Sequence, residues 1–195
     1  MTQQPSDKHK DVNPFLIRKW SRLFEAFFDR NATDEVEWSD FYLVVRHVRD
    51  IYGAESAQME YARGTMKALW DGLVQLADRN HDQKIQVDEW VSVLKKVEPN
   101  KEPKWFNDYL HFLFKLFDVS GDDKLDLAEY TDGMMAYGFS QTEAHNAFHK
   151  FAVDEKGKSI PAVSFPQFKK LWHDYFYSTN PNAPGNFIFG EFSVN

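Results

Sequence analysis

A spacing of twelve residues recurs along the chain and limits its fold more than any other feature. Three times an apolar run of helical period stops at an aspartate, oxygen-bearing residues follow at alternate places, and a carboxylate closes the loop. The aspartates are Asp29, Asp78 and Asp118, and one hydrophobe stands at the eighth place of each loop: Val36, Ile85 and Leu125. Ile160 reads as the fourth member of that series. Two helices flanking a loop, four times over, make an internal repeat of helix–loop–helix units.

The loops have the chemistry of a hard-cation cage. Calcium takes about six to eight oxygens at roughly 2.3–2.6 Å, and a twelve-residue loop supplies them from places one, three, five, seven, nine and twelve. The third loop reads Asp118, Ser120, Asp122, Lys124, Asp126 and Glu129 at those places, and the second reads Asp78, Asn80, Asp82, Lys84, Gln86 and Glu89. The seventh place offers its carbonyl, so Lys84 and Lys124 are no obstacle. The expected fold is therefore all-α: four EF-hand units in two pairs, compact, with short β contacts between paired loops. Val36 should meet Ile85, and Leu125 should meet Ile160.

The other two loops depart from this pattern. The first reads Asp29, Asn31, Thr33, Glu35, Glu37 and Asp40. Its closing Asp is one methylene shorter than Glu and favours contact through one oxygen. Six-coordinate binding of that kind suits magnesium, so the loop reads as a third calcium site, a magnesium site or a structural loop. In the fourth, Ile160 at the eighth place puts Val153 first, Gly157 fifth and Ser164 last, and no ion should bind. The sixth place, where the chain turns with positive φ, holds Asp34, Gln83 and Asp123 in place of Gly. Asp tolerates that region, whereas Gln should cost about 1 kcal/mol.

Punctuation along the chain divides it. Asn13-Pro14 reads as an N-cap with a first-turn proline, Glu98-Pro99 ends a helix, and Ser140 with Glu143 forms a capping box. The polar stretch from Pro99 to Pro103 is the expected junction between an N-terminal pair of hands over 13–98 and a C-terminal pair over 103–177. A tail over 178–195 carries Phe187, Ile188, Phe189 and Phe192, which are expected to fold back onto the core.

Composition removes several function classes. A net charge of −7 offers no electrostatic footprint for nucleic acid. With no cysteine there is no disulfide framework, thiolate catalysis or cysteine-held zinc. No apolar run approaches the ~20 residues that span a bilayer. The polar start (Met1 to Val12) has no signal-peptide core, and Thr2 is not the Gly that myristoylation needs. A cytoplasmic monomer without a membrane anchor is expected. No phosphate-cradling loop, zinc helix or serine elbow is present, so no enzyme is expected. His145 and His149 read as surface histidines, and Lys95-Lys96 and Lys169-Lys170 as solvated helix faces.

Four hands over nearly the whole chain, with a dead fourth loop, resemble the invertebrate sarcoplasmic calcium-binding proteins. Val36-Glu37-Trp38-Ser39-Asp40-Phe41, Leu69-Trp70-Asp71-Gly72-Leu73, Asp118-Val119-Ser120-Gly121-Asp122 and Lys170-Leu171-Trp172 resemble the calexcitins within that group. The resemblance covers about Trp20 to Gly190. It implies two pairs of hands, at most three metal sites, a first loop ending in Asp, and calcium buffering or neuronal calcium signalling. Thr33 and Asp34 depart from the family by one fewer carboxylate and a missing Gly. Sensors open to offer a flexible, Met-rich groove to a target. Five Met against 18 Phe, 8 Tyr and 6 Trp favour a closed buffer. The alternative is a sensor that regulates a protein target, such as a channel or other membrane protein in excitable cells.

Overall fold

A computed structural model describes residues 9–191; the expected tail residue Phe192 and the side chain of Ile51 lie outside the described residues. Eight α-helices make up most of it: α1 (Pro14–Leu23), α2 (Trp38–Tyr52), α3 (Ala57–Ala77), α4 (Val87–Leu94), α5 (Lys104–Phe117), α6 (Leu127–Ala136), α7 (Gln141–Phe151) and α8 (Phe165–Tyr177). Local chemistry sets their ends. The Asn13 side chain accepts from the Phe15 amide at 2.8 Å, with Pro14 in the first turn. Gly53 and Gly138 follow α2 and α6 with φ of 92° and 89°, where an L side chain would be strained. Ser140 and Glu143 form the expected capping box.

Four short strands bring the loops together in pairs. In β1 (Glu35–Val36) and β2 (Ile85–Gln86), Val36 lies opposite Ile85, as the spacing predicts. In β3 (Lys124–Asp126) and β4 (Ala162–Ser164), Leu125 lies opposite Val163, not Ile160. The fourth loop is therefore longer than the sequence reading allowed. It leaves α7 at Ala152, whose amide bonds to the Phe148 carbonyl as the Asp118 amide bonds to Phe114. It enters α8 through a capping box of Ser164 and Gln167, where the third loop has Asp126 and Glu129. The insertion closes on itself: Val153 bridges Ser159, and one Asp154 oxygen accepts from the Lys156 and Lys158 amides. A pattern that counts twelve places cannot register such an insertion, because Ile160 satisfies the count by accident.

The described residues fall into two compact units, divided between Tyr109 and Leu110 inside α5. The stretch from Pro99 to Pro103 thus belongs with the first unit. Aromatic packing holds the start of α5 there: the Trp105 ring lies 6.2 Å from Trp90, and Tyr109 lies 5.0 Å from Phe28. Trp90 also donates its indole N–H to the Trp20 carbonyl at 2.9 Å, which pins α4 to α1. In the second unit Phe117, Tyr130, Phe148 and Phe151 form the core, and the tail packs on it. Ala183, Ile188 and Phe189 are buried, and Pro184–Phe187 form one 3₁₀ turn. Phe189 packs edge-on to Trp172 and Tyr175 of α8.

Candidate metal centre

Each of the first three loops folds around its leading aspartate. Asp29, Asp78 and Asp118 sit at the helix exits with little exposure, and each carboxylate accepts amides from within its own loop. Asp29 accepts from Thr33 and Asp34, each at 2.9 Å, and Asp78 from Asp82 at 3.1 Å and Gln83 at 2.9 Å. Asp118 accepts from Gly121, Asp122 and Asp123 at 2.9, 3.1 and 3.1 Å. Such turns need left-handed backbone, and the sixth-place residues Asp34, Gln83 and Asp123 have φ of 65°, 63° and 60°. The fourth place is left-handed too, at Ala32, His81 and Gly121. The sequence reading passed over that place, where only Gly121 carries a signal.

The closing carboxylates tie the two ends of each loop. Glu89 accepts from the amides of Arg79 at 3.2 Å and Gln86 at 3.1 Å, and Glu129 from those of Ser120 at 2.9 Å and Asp126 at 3.3 Å. Asp40 does the same with Asn31 at 3.1 Å and Glu37 at 2.9 Å, although its arm is shorter. It reaches because it lies deeper: Asp40 has no exposed surface, and only a void of about 10 Å³, lined by Phe27, Phe28, Phe41, Val44, Met66 and Tyr109, lies beside it. That burial holds its carboxyl above the usual Asp range against the pull of the Glu37, Asn31 and Arg30 amides, and the Asp29 charge pushes the same way.

The loops differ at the fifth place. Asp82 and Asp122 each accept from the seventh-place amide at 2.9 Å, which leaves the Lys84 and Lys124 carbonyls without that contact. Thr33 instead donates its hydroxyl to the seventh-place carbonyl of Glu35 at 3.0 Å and to Asn31 at 2.7 Å. Asn80 donates its amide to Asp82 at 2.7 Å. Among the described residues, Asp118, Asp122 and Glu129 are the one group of three carboxylates whose oxygens lie within 4.8 Å of one another. Such convergence of like charges is costly unless a cation lies among them, and the all-oxygen set is that of a hard divalent ion. Gln167 closes the fourth loop without charge and accepts only from Ser164.

Cations of the chain itself border the sites. The Lys115 ammonium lies 2.9 Å from Asp123 and 4.0 Å from Asp118. Lys84 pairs with Glu35 across the β1–β2 contact, and that carboxylate holds its ammonium above the usual lysine range. No described helix is long and apolar enough to cross a membrane.

Known proteins resemble the chain throughout. Calexcitin-1 of Caenorhabditis elegans is 56% identical over 183 residues, which cover 94% of this chain and 90% of the relative. Sarcoplasmic calcium-binding proteins I, III and IV of Branchiostoma lanceolatum are 23% identical over 92% of this chain and 98% of theirs. The solved structure of a sarcoplasmic calcium-binding protein from amphioxus superposes with a TM-score of 0.77 at 20% identity, over 92% of this chain and 99% of that one, and shares the fold. No family model matches the chain.

Proposed function

The chain belongs to the calexcitins, within the sarcoplasmic calcium-binding group of EF-hand proteins, and on that premise we propose that it binds calcium as a closed intracellular buffer. The convergence of Asp118, Asp122 and Glu129 carries this reading. The third loop holds the ion with those carboxylates, the Ser120 hydroxyl and the Lys124 carbonyl. The second uses Asp78, Asn80, Asp82, Glu89 and the Lys84 carbonyl. The first offers Asp29, Asn31, Thr33, Asp40 and the Glu35 carbonyl, and its short closing Asp, favouring contact through one oxygen, suits magnesium at rest. The fourth binds nothing.

The buffer reading rests on the second unit's filled interior. A sensor exposes an apolar groove on binding calcium, whereas here Ile188 and Phe189 are each 1% exposed and already pack on that unit's core. Calorimetric calcium titration with and without millimolar magnesium tests the sites. Two sites indifferent to magnesium and a third weakened by it are expected, and no calcium heat would overturn the reading. A dye that lights up on exposed apolar surface should stay dark in both ionic states. A calcium-dependent rise would replace the buffer by a sensor.

A further inference from the structure

In each of the first three hands, the residue after the closing carboxylate is an aromatic side chain of the exit helix. In the first it is Phe41, in the second Trp90, and in the third Tyr130. Trp90 is anchored through its N–H to the Trp20 carbonyl of α1, inside its own unit. Tyr130 is anchored to the tail. Its hydroxyl donates to the carbonyls of Ile188 at 3.1 Å and Phe187 at 3.3 Å, and no part of the residue is exposed. Its ring meets Phe117, the residue before Asp118, at 6.1 Å, and Phe151 at 4.8 Å. The neighbours of the first and last ligands of the third loop are thus in contact, and the tail holds one of them.

We propose that the C-terminal segment 183–189 sets the calcium affinity of the third loop, acting through the Tyr130 hydroxyl on Glu129. This rests on the reading of that loop as a calcium site. The tail has anchors of its own: the Asn186 amide donates to the Asn180 and Pro181 carbonyls, and Lys150 pairs with Glu191 at 2.8 Å while lying over the Phe187 ring. Gly185 passes so close to the Leu171 carbonyl that a Cβ has no room there. A docked tail fixes Tyr130, Tyr130 fixes the first turn of α6, and Glu129 is presented to the ion with both oxygens. Without the tail the hydroxyl loses the Ile188 and Phe187 carbonyls it donates to, and the turn carrying Glu129 is freed to move. Linkage makes the effect mutual, so calcium in the third loop strengthens tail docking by the same factor.

The test uses the full chain with the first loop silenced by the double change Asp29→Asn and Asp40→Asn and the second by Glu89→Gln, titrated with calcium by calorimetry. Tyr130→Phe, which removes the hydroxyl and keeps the ring, should raise the dissociation constant about three- to tenfold, the worth of one buried hydrogen bond. A chain ending at Ser178 should lose at least as much. In the reverse background, with Glu129→Gln and an intact second loop, Tyr130→Phe should leave the second loop's affinity within twofold. Affinities within twofold for both tail variants, with only thermal stability reduced, would make the tail mere packing and overturn the proposal. An absence of calcium heat in the parent background would overturn the third-loop assignment itself, and the proposal with it.

Discussion

The first and third hands close their loops with the same pair of amide bonds, yet they arrive there differently. Into the third loop, α5 runs regularly to its end, and the Asp118 amide bonds to Phe114 four residues back at 2.8 Å. Into the first, α1 widens to a π turn over Phe24–Phe28, and the Asp29 amide reaches five residues back to Phe24 at 2.9 Å. The third loop gathers three carboxylates, from buried Asp118 through half-buried Glu129 to exposed Asp122. The first buries its closing carboxylate and occupies its fifth place with a hydroxyl directed at its own backbone. One repeat thus serves two ends: a site whose like charges call for a cation, and a loop that holds its shape through internal bonds. Single-turn π segments of this kind cluster at functional positions, and here the extra residue accompanies the short Asp40 closure.

Glu129→Gln should cost the third loop about a hundredfold or more in calcium affinity, because it removes the charge and one of the two oxygens, so the two-oxygen closure is lost. Asp40→Asn should cost the first loop only about tenfold in either ion. Equal losses would erase the distinction between the loops. The same Asp40→Asn change should stabilise the ion-free protein at neutral pH, since it removes a buried charge. The sign follows from the raised carboxyl. The folded chain takes up the proton more readily than the unfolded one. The group's stabilising contribution is therefore complete below the unfolded value of about 3.9 and is lost as pH rises through the higher folded value. Thermal melts of both forms across that window should converge at low pH.

The two units should also respond differently to filled glycines. A Cβ at Gly133 would lie 2.5 Å from the Phe117 ring, whereas one at Gly72 meets Trp105 at 3.4 Å. Gly133→Ala should destabilise by about 1–3 kcal/mol through overpacking, and Gly72→Ala by clearly less, as thermal unfolding would measure. The smallest effect is expected from relieving the left-handed sixth place. Gln83→Gly should stabilise the second loop by about 0.5–1 kcal/mol. Asp123→Gly should give no such gain, because it also removes the ion pair with Lys115. A gain at both would place the strain in the loop backbone alone.

The loop pattern was legible because the spacing of oxygen-bearing residues is a local property. Asp118 to Glu129 and Asp78 to Glu89 state their chemistry in twelve consecutive residues, the sixth-place turn is forced by that spacing, and Val36 opposite Ile85 follows from it. Helical period and caps likewise placed eight helices, and the apolar tail marked itself as something to be covered. The remainder depended on contacts between distant residues. The register of the fourth loop was decided by which residue pairs with Leu125, and Val163 and Ile160 are equally apolar. The burial of Asp40, the boundary inside α5 and the bond from Tyr130 to the Ile188 carbonyl arise from packing across many tens of residues. A linear pattern carries no signal for them, because a buried polar group finds its partner only once the chain has folded around it.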